Sequence, residues 1–383
     1  MRHWLVLFAL GTLTAGSARA QACADSASAF RRIITEFQSR QQNVAIVVGV
    51  MRDGRIVFNE ATGLADKEAG VPAVARMAFS IASVTKAFTG AALLTLVEAG
   101  AIDLDAEIQR YVPEFPRHPG GTPVTVRMLA AHLSGVRHWG AERDDALYAR
   151  HFDDVLDILP LFRDSAWVTG SPPGTRYSYA SYNYNAIAMA IQRASGTPYQ
   201  QVLQARILTP LRLTSVQFDR PGLGGRDRPA RYSWYDLKDF HELVDAPQRV
   251  PDWDYSHNMA GGGLTANTAD LLAFARAFRQ PGVLSAQSLA LVWARPVIGG
   301  VESPMSYGWF TRSNPARLNI GGSNAGVQAG LSVWKELDLA IAVLANSWGR
   351  GSRSGELMSD AADGLIGRLA AVCGTASFRA SAR

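Results

Sequence analysis

Phe79-Ser80-Ile81-Ala82-Ser83-Val84-Thr85-Lys86 is the stretch around which the rest of the chain can be organised. Apolar residues at Val84, Phe88, Ala91, Ala92 and Leu96 recur at helical spacing and Gly100 supplies a stop, so a buried helix is predicted over 83–98. Ser83 falls at its N-terminus. Lys86, three residues on, shares a face with it, which brings an amine within reach of the hydroxyl. The positive end of the helix dipole at Ser83 also favours a developing oxyanion. The residue type is informative, because the chain uses 34 Arg but only four Lys, at 67, 86, 238 and 335. A desolvated lysine can give up its proton near neutrality and an arginine cannot, so the pair reads as nucleophile and base. The competing reading is a helix cap followed by a surface charge, since Ser-x-x-Lys is a short pattern.

Outward from this helix, residues 43–50 and 55–59 are β-type runs joined by Asp53-Gly54, a hairpin turn. Residues 327–334 and 337–346 repeat the pattern around Lys335-Glu336, after a short strand candidate at 317–320. Helical spacing over 24–40 and 355–371 flanks the two strand groups. The expectation is an α/β fold of the α+β type. Residues 21–98 and 303–383 would form an antiparallel sheet from both chain ends, flanked by the N- and C-terminal helices, and 99–302 a mostly helical lobe.

The 383 residues, 48% apolar and 19% charged, suffice for a large core, and no segment recurs, which argues against repeat architectures. The formal charge is +5, or +3 without Arg2 and Arg19. Acidic and basic residues alternate, as in Arg226-Asp227-Arg228, so no nucleic-acid partner is expected. Residues 1–20 read as a secretory signal peptide: Arg2 and His3, an apolar run from Trp4 to Leu13, then Ala18-Arg19-Ala20. That run is too short to span a bilayer, so a periplasmic or secreted protein without stable membrane insertion is expected. Export favours pairing the two cysteines, Cys23 and Cys373, and terminal helices on one sheet face would bring them together. The alternative is two free thiols in the termini.

Ser83-Val84-Thr85-Lys86, followed by Val97-Glu98-Ala99-Gly100 and Leu104-Asp105, resembles the first motif of class C-type beta-lactamases and their penicillin-binding relatives. Met128-Leu129-Ala130-Ala131-His132-Leu133-Ser134-Gly135 is similar to that family's Leu-Leu-x-His-x-Ser-Gly segment. Its continuation, Val136-Arg137-His138-Trp139, resembles the mitochondrial beta-lactamase-like serine protease and its bacterial relatives. The resemblance runs over residues 25–372 and implies a beta-lactamase/transpeptidase-like fold and an acyl-enzyme on Ser83. In the family's second motif, Tyr-x-Asn, Tyr179 takes the tyrosine position and Ser181 stands where Asn is usual. Tyr179 is thereby a second base candidate, with its pKa expected to be pulled down by the lysine ammonium. Tyr177, Tyr179, Tyr182 and Tyr184 read alternatively as a packing cluster. The third motif, Lys-Thr-Gly or His-x-Gly, is best matched by Ile320-Gly321-Gly322-Ser323-Asn324-Ala325-Gly326, with Ile320 at the basic position. Gly321 and Gly322 would let substrate lie against the strand, and the Ser323 amide would join the Ser83 amide in an oxyanion hole. Asn319 is a candidate to replace the missing cation. An ordinary Gly-rich turn is the other reading.

Met259-Ala260-Gly261-Gly262-Gly263-Leu264 reads as a pocket wall ahead of a helix capped by Asn267 or Thr268. No His-Glu-x-x-His, Walker or Gly-x-Ser-x-Gly pattern occurs, and His132 and His138 lack metal-type spacing. Both histidines are expected to make hydrogen bonds within their own loop. No metal or cofactor is expected. The implied partner is a peptide or other small-molecule substrate, and oligomeric state has no sequence signal. The rival to an acyl-transferring hydrolase is a noncatalytic peptide- or penicillin-binding protein with a degenerate third motif.

Overall fold

Asp53 and Gly54 both adopt positive φ, 49° and 73°, the geometry of a two-residue hairpin turn whose twist matches its strands. They join strands β1 (Ala45–Arg52) and β2 (Arg55–Asp66), and β3 (Val71–Pro72) extends that edge. The C-terminal part adds β4 (Met305–Ser306), β5 (Trp309–Phe310), β6 (Arg317–Asn324), β7 (Val327–Trp334) and β8 (Leu339–Ala345). One antiparallel sheet results, in the order β4-β5-β6-β7-β8-β1-β2-β3. The chain ends meet at its centre, where Ile46 lies opposite Ala345 and Arg52 opposite Leu339. A computed structural model describes residues 23, 25–138, 145–222, 228–238, 242–311, 316–350 and 356–373 of the protein. The expected leader and Trp139 lie outside the described residues.

Side chains alternate across the sheet and divide the core. Ile46, Val48, Val50, Ile341 and Val343 face the terminal helices α1 (Ala27–Gln41) and α6 (Glu356–Val372), meeting Phe30, Ile33, Ile34, Leu365 and Leu369. Ala45, Val47, Met51, Ala340, Ala342 and Leu344 face the larger second core. With both helices on one face, Cys23 and Cys373 form a disulfide, Cα atoms 4.8 Å apart. The bond closes nearly the whole chain, but the ends it joins are already packed. Reduction is therefore expected to cost about 1–2 kcal/mol, seen as a lower melting temperature without loss of the fold. Unfolding at room temperature on adding reductant, or two free thiols by mass spectrometry of exported protein, would contradict this.

The second core is organised around helix α2 (Thr85–Glu98), where every side chain from Thr85 to Leu96 is buried. α2 packs against α3 (Tyr182–Ser195) and the short α4 (Met259–Gly262). Helix α5 (Thr268–Arg276), capped by Asn267 as expected, packs on β1 and β8. Residues 99–302 thus contribute directly to covering the sheet. They also hold short strands: Leu264–Ala266 pairs with Phe79–Ser80 and Gln217–Phe218. This pairing ties the residues just before Ser83 to the segment just after α4. β6 is longer than the expected 317–320, since Gly321, Gly322, Ser323 and Asn324 remain in register with β7, Gly321 opposite Gly330 and Ser323 opposite Gln328.

Candidate active site

Ser83 is half-buried on a 3-10 turn, Ala82–Val84, that leads into α2, so the regular helix starts at Thr85 and not at the expected 83. The preceding Ala82 has φ 43°, an unfavourable conformation for a residue with a Cβ, which the surrounding packing must hold. Lys86 is fully buried, with Nζ 3.1 Å from Ser83 Oγ. Nζ also donates to Ser181 Oγ at 3.0 Å and to the Gly261 carbonyl at 2.6 Å. All three partners are neutral oxygens. Burial without a countercharge pushes the Lys86 pKa well below that of a free lysine. In the neutral form its lone pair can accept the Ser83 proton, while Gly261 keeps one of its two N–H groups.

Tyr179 reaches Ser83 from the other side. Its Oη donates to Ser83 Oγ at 2.9 Å, and its ring lies 4.8 Å from Lys86 Nζ. The expected downward shift of its pKa is corrected: burial pushes it up to about 12, outweighing the hydrogen bonding with Ser83 and Ser181 that lowers it. Tyr179 is a phenol donor, leaving Lys86 as the base candidate at Ser83. Tyr177, Tyr179 and Tyr184 gather round the His132 ring and Tyr182 stacks on Phe162 at 4.3 Å, so the packing reading holds for their rings, while the Tyr179 hydroxyl also bonds Ser83.

Gly322 brings β6 against the nucleophile turn. A Cβ there would stand 2.3 Å from the Ile81 carbonyl oxygen and 2.8 Å from the Ser83 nitrogen, so only glycine permits the approach. The Gly-rich turn reading of 321–324 gives way to a strand edge beside Ser83. Ile320, two residues before Gly322 on the same face, is 2% exposed and belongs to the main core. Asn319 falls on the opposite face by alternation, with Arg317, which pairs with Asp363 of α6. Asn319 therefore does not supply a cation substitute where Ile320 points. Ser181, expected among the substrate-binding residues, is 1% exposed and holds Lys86.

Two parts of the site had no reading of this kind. The glycine-rich segment is more than a pocket wall: Gly261 supplies the shortest hydrogen bond to Lys86, and a Cβ on it would fall 2.3 Å from Asn258 Oδ1. His132 bonds outside its own loop, its Nδ1 accepting from the Ala180 N–H at 3.0 Å. His138 stays beside Tyr179, ring centroids 5.7 Å apart, and burial, Lys86 and Arg137 push its pKa down to about 3. Among the described residues, no cluster of His, Cys, Asp and Glu is placed to hold a metal ion, and no helix is long and apolar enough to cross a membrane.

The chain is similar to known proteins over most of its length. The chain is 29% identical over 329 residues to the human mitochondrial serine beta-lactamase-like protein LACTB, covering 65% of this chain and 58% of LACTB. It is 30% identical over 312 residues to esterase EstB of Burkholderia gladioli, covering 74% of this chain and 79% of EstB. The structure of D-amino acid amidase from Ochrobactrum anthropi SV3 complexed with D-phenylalanine superposes with a TM-score of 0.77 at 20% identity, covering 91% of this chain and 98% of the amidase, a likeness of fold. A beta-lactamase family model matches residues 30–363, and with that match the chain belongs to the beta-lactamase family.

Proposed function

We propose that the protein is an exported serine hydrolase that forms an acyl-enzyme on Ser83 and acts on uncharged ester, amide or peptide bonds. The observation that carries this reading is Ser83 Oγ held between Lys86 Nζ at 3.1 Å and Tyr179 Oη at 2.9 Å. Ser83 attacks the acyl carbonyl as its proton passes to neutral Lys86, and the backbone N–H groups of Ser83 and Ser323 receive the oxyanion. Lys86, with Tyr179 as relay, returns the proton to the leaving group. Water then attacks the acyl-enzyme by the same path in reverse. Esterase EstB among the relatives supports ester substrates. The leader-like residues 1–20 and the Cys23–Cys373 bond support export.

Ser83→Ala is expected to abolish ester hydrolysis and leave the circular dichroism spectrum intact, because neither the Ala82–Val84 turn nor the helix after it carries a side-chain cap, and the substitution removes only the hydrogen bonds with Lys86 and Tyr179. The apolar Ile320 supports a noncatalytic binding protein as the second reading. Wild-type protein that binds a peptide or penicillin but turns over no ester, amide or peptide would establish it.

Ile320 also bears on substrate charge. A carboxylate brought to this strand without a cation keeps its desolvation uncompensated, costing about 2–4 kcal/mol of binding. A short-chain nitrophenyl ester is therefore expected to give a higher kcat/KM than a D-Ala-D-Ala-type dipeptide or penicillin. A wild type that prefers the carboxylates would contradict this.

A further inference from the structure

Tyr179 is gripped on three sides by one residue, His132. The His132 carbonyl accepts from the Ser178 N–H at 2.9 Å, and its Nδ1 accepts from the Ala180 N–H at 3.0 Å. Its ring lies on the Tyr179 ring, with centroids 4.6 Å apart and planes 24° from parallel. The residues on both sides of the tyrosine and the phenol itself are thus referenced to a single side chain and its own peptide. His132 is fully buried and holds φ at 55°, a left-handed conformation that persists only where the surroundings enforce it. Part of that enforcement is visible: Asn183 Nδ2 lies 3.1 Å from Nδ1, and Asn183 Oδ1 accepts from Ser134 Oγ at 2.8 Å.

Because Nδ1 accepts from a backbone N–H, the proton of the neutral ring is on Nε2. Among the described residues, the titratable groups facing the ring are Lys86, His138, Tyr177, Tyr179 and Tyr184. None is a carboxylate. Burial, the largest cause, holds the imidazole neutral. A proton on Nδ1 would face the Ala180 N–H donor to donor and break the grip.

We propose that His132 is a positioning residue that acts through Tyr179, its ring and Nδ1 keeping the phenol aimed at Ser83 Oγ. This rests on the serine hydrolase reading above. The carbonyl contact is available to any residue at 132, whereas the stacked ring and the Nδ1 acceptor are the histidine's own. Side-chain substitution therefore isolates them. A displacement of about 1 Å at Tyr179 Oη is enough to cost a reacting group about 10–100-fold in rate.

The test is a pair of variants in two backgrounds. His132→Asn suits the left-handed backbone and offers a carbonyl to Ala180 but no ring, and His132→Ala serves if the first does not fold. The kcat for a nitrophenyl ester is measured per Ser83 labelled by a fluorescent phosphonate, in otherwise wild-type protein and in Tyr179→Phe. The expected result is a kcat about 10-fold lower with KM within about 2-fold, and a change under about 2-fold once Tyr179 is phenylalanine, since the target of the effect is then gone. A residue that only supports the fold would lower the melting temperature and the number of labelled sites while kcat per site stays constant. That outcome, or an equal fall in both backgrounds, overturns the proposal. Wild-type protein that neither labels nor turns over substrate instead overturns the hydrolase reading, and this proposal with it.

Discussion

Lys86→Arg is expected to lower kcat/KM on a nitrophenyl ester by about 10³-fold, although the substitution keeps a cation next to Ser83. Lys86 Nζ sits among the Ser83 and Ser181 hydroxyls and the Gly261 carbonyl, in a fully buried position with no acid among the described residues bonded to it. Such surroundings stabilise an amine over an ammonium, and that is what allows the group to accept the serine proton. A guanidinium keeps its charge under all working conditions and has no lone pair to offer. It also carries its desolvation cost without relief, so Lys86→Met, which removes the base and buries no charge, separates loss of chemistry from loss of fold. The pH dependence has a definite sign. Only the neutral amine is competent, so kcat/KM rises with pH through the depressed Lys86 pKa and falls away on the acid side. Tyr179, pushed up to about 12, keeps its proton across the same range and imposes no limb near neutrality. Near-normal rates in Lys86→Arg, or a profile that falls as pH rises through neutrality, would contradict this assignment.

Gly322→Ala should be nearly as damaging, by a steric route. The new methyl would lie 2.3 Å from the Ile81 carbonyl oxygen and 2.8 Å from the Ser83 nitrogen, both backbone atoms with no rotamer to escape into. Either β6 withdraws or the Ala82–Val84 turn shifts, and in both cases the Ser83 amide leaves the position proposed for it as an oxyanion donor. Loss of an oxyanion donor costs about 10²–10³-fold in kcat. Overpacking adds about 1–3 kcal/mol of destabilisation. Steady-state kinetics and thermal melts of the purified variant measure both. Wild-type kcat with an unchanged melting temperature would show that β6 does not press on the nucleophile turn.

What the sequence reveals about this site depends on whether a signal is carried by a side chain. Ser83 and Lys86 are legible because three residues on a helix bring them together and because lysine is rare in this chain. The strand pairs and terminal helices are legible from apolar periodicity, and the disulfide follows from the way they stack. Gly261 is not legible as the Lys86 acceptor, because a backbone carbonyl leaves no trace in residue identity. Gly321-Gly322 reads as room for substrate along a strand or as a Gly-rich turn, whereas close approach of β6 to Ser83 is what requires Gly322. The direction of the Tyr179 shift depends on burial from α2 and His132, residues distant in sequence, so local reasoning about a neighbouring cation gets the sign wrong. Asn319 was open to exclusion by alternation alone, once β6 is known to run through Ser323.

The most direct test is the rate at which a fluorescent phosphonate labels the folded protein as pH is varied, with the modified residue located by peptide mass spectrometry. One label per chain on Ser83 is expected, at a rate that climbs as Lys86 becomes neutral and that collapses in Lys86→Met. A label on any other residue, or labelling of Ser83 that is indifferent to pH and to the loss of Lys86, would contradict a serine activated by a buried lysine.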